Sequence, residues 1–160
     1  MTIRVTPRAT SLTCRSTRAE WLDGAGMDST ELKAFLYDLA RFNGNMLRHW
    51  PILAWLRRAI AHAPDDRPPT LIDVGCGYGD LLRAIRRWAR KRELAINLIG
   101  LDLSRETIAI AREAADAADT IDYQVGDVLA DRVGQPVDFV VSSLLTHHFS
   151  DSMIVDFYAG

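Results

Sequence analysis

Apolar positions recur along this chain with two spacings, and the change from one to the other marks its organisation. From Ser29 to Phe42, Leu32, Phe35, Leu36, Leu39 and Ala40 return at helical intervals, with Asp28 or Ser29 placed to cap the start. Asn43-Gly44 reads as a stop. A second helical stretch, Asn45 to Ala63, carries Met46, Leu47, Trp50, Leu53, Ala54, Leu56 and Ile60, and is interrupted or re-nucleated at Pro51. After the stiff connector Pro64-Asp-Asp-Arg-Pro68-Pro69 the pattern alternates. It predicts strand Thr70–Val74, helix Gly79–Arg92, strand Ile96–Leu101, helix Ser104–Ala118, strand Ile121–Val125, strand Val137–Ser142 and the beginning of a helix, Asp151–Tyr158. Strands alternating with helices pair in parallel through right-handed crossovers, so the expected fold class is α/β, a three-layer sheet.

Composition narrows the partners. The 160 residues, 48% of them apolar, suffice for one core, and a net charge of −2 supplies no field to gather nucleic acid or an anionic membrane. No apolar run approaches the ~18 residues of a spanning helix. Cysteine occurs at Cys14 and Cys76, too few for a disulfide framework, which points to a reducing cytoplasm. The start of the chain carries Arg4, Arg8, Arg15 and Arg18 among many Ser and Thr and no acid before Glu20. A transit peptide has that composition, but little apolar periodicity is present to dock the segment, so residues 1–20 read as a disordered arm. Residues 21–66 read as a helical cap and 67–160 as the α/β domain.

The candidate chemistry begins at Asp73-Val-Gly-Cys-Gly-Tyr-Gly-Asp80-Leu81, where a strand empties into a glycine turn and then a helix. Gly75, Gly77 and Gly79 lack a Cβ and let a ligand lie against the main chain, while free N–H groups at the helix start point at whatever is bound. Asp80 stands where the third glycine of a dinucleotide fingerprint would be, and no Lys-Ser or Lys-Thr follows, which excludes a P-loop. In an open parallel sheet, ligands bind beyond the carboxyl ends of the strands. The second strand ends at Asp102, able to accept both hydroxyls of a ribose. The third ends Gly126-Asp127-Val128, offering a carboxylate to an exocyclic amine and a backbone N–H to a ring nitrogen, which describes adenine. The fourth ends at Ser142-Ser143, whose carbonyls can receive an ammonium group. A ribose, an adenine and a zwitterionic tail, without a pyrophosphate clamp, describe S-adenosylmethionine.

Leu71-Ile-Asp-Val-Gly-Cys-Gly-Tyr-Gly-Asp80, Gly100-Leu-Asp102-Leu-Ser104, Gly126-Asp127-Val128 and Asp138-Phe-Val-Val-Ser-Ser-Leu-Leu-Thr-His-His-Phe149 together resemble the class I S-adenosylmethionine-dependent methyltransferases, over about residues 70 to 150. The closing His-His-aromatic is most similar to the branch that methylates quinones, phenols and polyketides. The resemblance implies a Rossmann-like sheet, methyl transfer to a small-molecule acceptor and S-adenosylhomocysteine as product. It places Asp73, Gly75, Cys76 and Gly77 around the methionine portion, with Gly79 closing the turn. Asp102 would hold the ribose, Leu103 lie against the adenine, Asp127 take its amine, Val128 its ring nitrogen, and Ser142 or Ser143 the amino group. The N-terminal helices would form a lid, with Trp21, Tyr37, Asn43 and Trp50 as candidate substrate contacts. His147 or His148 could accept a phenolic proton.

Plainer roles exist for several of these residues. Asp73 could bond the turn after it, Ser104 is a good helix cap, Asp127 follows a glycine as turn residues do, and the paired histidines can pack and cap. Arg83, Arg86, Arg87, Arg90, Lys91 and Arg92 fit the outer face and last turn of a helix rather than a nucleic-acid patch. Trp50, Trp55 and Trp88 fall at positions suited to packing, and His49 and His62 have no metal-ligand spacing. The family's sheet has seven strands, whereas the pattern here supplies four and the beginning of a helix, so the chain reads as an incomplete piece whose bare edge, Phe139 to Leu145, could pair in a dimer or with a partner chain. Two rival functions remain: a catalytically silent adenosyl-binding subunit and an NAD-type oxidoreductase.

Overall fold

A computed structural model of the chain describes residues 28–45, 48–130 and 134–159. The expected arm 1–20, the lid candidate Trp21 and the apolar residues Met46 and Leu47 lie outside the described residues.

The sheet has four parallel strands, β1 (Thr70–Val74), β2 (Asn97–Asp102), β3 (Ile121–Val125) and β4 (Phe139–Ser142), in the order β3-β2-β1-β4. The chain steps outward from β1 to β3 and then returns to the other side of β1, so strand order reverses at β1 and a crevice opens between its carboxyl end and that of β4. Every residue of β1 is buried, as a strand covered on both faces must be.

Alternate residues of each strand serve the two faces. One face carries Leu71, Leu98, Tyr123 and Val141 and packs against Leu56 of α2 (Trp50–Ala59), Leu82, Ile85 and Ala89 of α3 (Asp80–Arg90), and Ile108 and Ala111 of α4 (Arg105–Glu113). The opposite face, Ile72, Val74, Ile99 and Leu101, receives Val128, Val137, Leu145 and Phe157 of α5 (Asp151–Ala159). Helix α1 (Ser29–Asn45) is capped by Asp28, whose Oδ1 accepts from the N–H groups of Thr30 and Glu31, and its Lys33 pairs with Glu113 of α4 at 2.7 Å.

Several boundaries differ from those the sequence predicts. Asn43-Gly44 does not stop α1, which runs to Asn45. Pro51 starts α2 rather than breaking a longer helix, consistent with its tolerance in a first turn, and a 3-10 turn at Ile60–His62 tightens the end. Helix α4 stops at Glu113 instead of Ala118 because Asp116 forms a side-chain turn, accepting from Ala118 N, while its carbonyl receives Asp119 N. Asp138 precedes β4 but fixes it, accepting two hydrogen bonds from Arg67 at 2.7 Å and one from Thr70 N at 2.8 Å.

The tryptophans and the basic helix also need correcting. Trp50 and Trp55 are exposed rather than core residues; Trp55 lies edge-on to Phe139 with ring centroids 5.8 Å apart, and Trp88 is partly buried against the core. Arg86 does not face outward. It is 8% exposed and donates to the carbonyls of Ile96 at 3.0 Å and Thr120 at 2.5 Å, where β2 and β3 begin, the length of its side chain letting the guanidinium reach inward.

Candidate functional site

The carboxyl end of β1 runs into a turn in which Gly75, Gly77 and Gly79 all have positive φ. The turn is stitched to β2: the N–H groups of Gly75 and Cys76 both donate to the Leu101 carbonyl, at 2.8 and 3.0 Å. Two of the glycines differ instructively. At Gly77 (φ +52°) an added Cβ would meet no protein atom within 4 Å, so the backbone of the turn is uncovered there. At Gly79 (φ +73°) a Cβ would collide with the ring and hydroxyl of Tyr123, which rises from β3 to support the turn from below. There the glycine is a packing requirement.

Carboxyl groups surround this turn. Asp102, at the end of β2, accepts from Gly77 N through Oδ2 and from Ser104 N through Oδ1, each at 2.9 Å. A carboxylate offers about four lone-pair sites, so both oxygens keep capacity for a further donor. Ser104 also caps α4, accepting from Thr107 N. Asp73, the fourth residue of β1, is 2% exposed, and its Oδ1 has no partner among the described residues. Burial, reinforced by the charges of Asp80 and Asp102, raises the Asp73 carboxyl well above the ordinary range. Buried and without a donor, that group is expensive to keep unless a ligand supplies one. Cys76 is buried and its thiol is pushed upward, first by burial and then by Asp73, which makes it an inert wall and not a nucleophile. Burial likewise pushes the Tyr123 phenol up to about 12.

The outer strands complete the rim. Leu103 is 73% exposed beyond Asp102, and Val125, which pairs with Asp102 in the sheet, and Leu129 are exposed as well. Asp127 has the turn role its sequence context allows, its Oδ1 accepting from Leu129 N at 2.9 Å, and Val128 packs on the second core face. At the tip of β4 the Ser142 hydroxyl is buried without a partner among the described residues, while Ser143 is exposed. Leu144 follows with φ +59°, an unfavourable backbone for leucine, in a segment whose Leu145 lies against Gly75. His147 and His148 form an exposed 3-10 turn with rings 4.0 Å apart. A groove of about 330 Å³ between Pro51, Ile52 and Trp55 of α2 and Val140 to Ser142 of β4 runs up to that tip.

At the head of α3, Asp80, which the sequence marked only as a departure from the dinucleotide fingerprint, is bonded to two residues of the N-terminal helical segment. Asp80 Oδ2 accepts from His49 Nε2 at 2.9 Å and from Asn43 Nδ2 at 3.3 Å. Burial would raise this carboxyl, but the hydrogen bonds from His49 and Asn43 outweigh it and hold Asp80 below the ordinary range. An acid as the first helical residue after a glycine turn was the available signal.

Comparison with known proteins agrees with this geometry. Residues 71–159 match the family model described as "Methyltransferase domain". Over 92 residues the chain is 34% identical to cyclopropane mycolic acid synthase MmaA2 of Mycobacterium tuberculosis, covering 56% of this chain and 30% of the relative. Over 76 residues it is 32% identical to 2-phytyl-1,4-naphtoquinone methyltransferase of Thermosynechococcus vestitus, covering 48% and 32%. The chain thus spans about a third of the length of these relatives. The fold is that of magnesium protoporphyrin IX methyltransferase from Synechocystis PCC 6803, solved with bound S-adenosylhomocysteine (TM-score 0.57, 17% identity, 72% of this chain and 49% of that one). It is also that of human N-acetylserotonin methyltransferase in complex with S-adenosylmethionine (TM-score 0.55, 18% identity, 81% and 33%). With a match that takes in more than half of its length, the chain belongs to the methyltransferase domain family.

Proposed function

We propose that this chain binds S-adenosylmethionine at the tips of β1, β2 and β3 and serves methyl transfer to a small-molecule acceptor, a phenol, quinone or polyketide hydroxyl. The observation that carries the reading is the unpartnered Asp73 carboxyl beneath a glycine turn that is open at Gly77. The residues fit the cofactor's separate demands. Asp73 and the carbonyls at Ser142 or Ser143 suit an ammonium group, and the spare lone pairs of Asp102 suit ribose hydroxyls. Leu103 and Val125 offer an apolar surface to adenine, whose edge Asp127 and the Val128 N–H would read. The names of two relatives, a mycolic acid synthase and a naphthoquinone methyltransferase, and the apolar groove along α2 and β4 favour an apolar acceptor.

The bound cofactor supplies an activated methyl group, so the chain's own contribution is alignment and exclusion of water. If the acceptor arrives protonated, His147 or His148 beside the β4 tip would take its proton. Calorimetric titration with S-adenosylhomocysteine and with NADH tests the cofactor: binding of the first and not the second is expected, and the reverse would turn the reading toward an oxidoreductase. A panel of phenols and quinones with labelled methyl donor tests the acceptor. Cofactor binding without transfer to any of them would favour a silent adenosyl-binding subunit.

A further inference from the structure

Four of the amides of residues 75–79 are engaged. Gly75 and Cys76 donate to the Leu101 carbonyl, Gly77 to Asp102 Oδ2, and Gly79 to the Cys76 carbonyl at 2.8 Å. The amide of Tyr78 has no acceptor among the described residues. Its direction follows from the peptide it belongs to. No peptide bond among the described residues is cis, so a carbonyl and the N–H that follows it point opposite ways. The Gly77 carbonyl receives the buried Cys76 thiol, with Sγ at 3.9 Å, and the Tyr78 N–H therefore points away from that interior, beside the uncovered backbone of Gly77.

Arg83 is what fixes Tyr78. Its place in a basic run suggests the outer face of α3, yet the residue is half-buried and its side chain turns back to the glycine turn. The guanidinium donates to the Tyr78 carbonyl at 2.6 Å and lies over the Tyr78 ring, 4.5 Å from the centroid. The Arg83 backbone N–H donates to the Gly79 carbonyl at 3.0 Å. The Tyr78–Gly79 peptide plane is thereby pinned on both edges, its carbonyl by Arg83 and its N–H by the Cys76 carbonyl. Below it, Tyr123 fills the space against Gly79, and the Arg83 charge reaches that phenol as well. Glycine populates several backbone regions, so an untied plane beside Gly79 could turn at little cost. A charge-assisted bond, with the cation also stacked on the ring, holds it in one of them.

Resting on the cofactor reading above, we infer that Arg83 is a positioning residue: it holds the Tyr78–Gly79 peptide in the conformation the cofactor meets, and leaves the Tyr78 N–H facing outward to donate to an acceptor atom of that ligand. Order already present in the free chain need not be imposed by the ligand, so losing it appears as lost affinity. Arg83→Met keeps the aliphatic stem and removes the donor. Calorimetry on the whole chain should find S-adenosylhomocysteine weakened about tenfold, with Arg83→Lys, which retains a donor and a charge, recovering most of the loss. NMR separates this from a general structural role. In free Arg83→Met the Gly79 amide should exchange faster while those of β1 and β2 are unchanged, and saturating S-adenosylhomocysteine should bring the turn signals of variant and wild type together. In the wild type the Tyr78 amide should move most among residues 75–79 on titration. Undiminished affinity, a loss that Arg83→Lys does not recover, faster exchange throughout the core, or a Tyr78 amide that stays still would each overturn the inference. Tyr78→Ala, which removes only the ring beneath the guanidinium, should weaken binding about threefold and decides the matter if Arg83→Met does not fold. A wild-type chain that binds no S-adenosylhomocysteine would defeat the cofactor reading itself, whereas wild-type binding that Arg83→Met leaves untouched defeats this inference alone.

Discussion

The two ends of the same parallel sheet are built on opposite principles. At the amino end, cations close the backbone: Arg67 and the carboxylate of Asp138 tie β1 to β4, and Arg86 ties β2 to β3 through two carbonyls. At the carboxyl end, Asp73, Ser142 and Tyr123 each bury an oxygen without a partner among the described residues, and three glycines occupy left-handed backbone. The contrast teaches where stability was secured and where it was given up. Unmet buried polar groups are costly to keep, and three of the four among the described residues lie at the end where strand order reverses, the fourth being Arg86 Nε at the amino end.

Substitutions can break this contrast, and the largest effect is expected at Gly77. Gly77→Val would place a branched side chain on the uncovered face of the turn and should reduce S-adenosylhomocysteine affinity by at least about 100-fold while the chain still melts cooperatively. Retained affinity in calorimetry would remove the turn from the site. At the sealed end, Arg86→Met should cost about 2–4 kcal/mol in urea denaturation, since two carbonyls lose charged donors, with affinity unchanged. A loss of affinity there would mean the two ends are not separable.

Smaller effects sharpen the comparison. Asp102→Asn should weaken S-adenosylhomocysteine by about 1–3 kcal/mol and methylthioadenosine by the same amount, because both carry the ribose. Asp73→Asn should act in the opposite sense on stability. Burial, with Asp80 and Asp102, raises the Asp73 carboxyl, so its contribution is fully present below the unfolded value of about 4 and is lost as pH rises through the folded value. Removing that group should raise stability at pH 7 by about 1–2 kcal/mol and flatten the fall above pH 4, while weakening cofactor binding. Thermal melts across pH that show no gain would mean Asp73 is satisfied in the free chain.

Much of this was legible in the chain, for reasons that also mark where legibility ended. The order of strands and helices followed from apolar spacing, and the glycine turn and Asp102 from local motifs that place residues on the same tip. Boundaries failed where one side chain outbid the helix, as at Asp116. Arg86 was misjudged because charge argues for solvent, whereas its length lets the guanidinium reach interior carbonyls. The pairing of His49 with Asp80 spans 31 positions, and no periodicity announces a contact made only by the packing of separate elements.

The carbonyl of Leu101 accepts from two consecutive amides of the turn while belonging to a strand in the middle of the sheet. Peeling the turn away therefore means breaking two bonds to β2, and deuterium is expected to enter at Gly75 and Cys76 more slowly than at an unbonded turn. A receptacle braced in this way is already shaped before anything arrives, and occupancy changes its company more than its form.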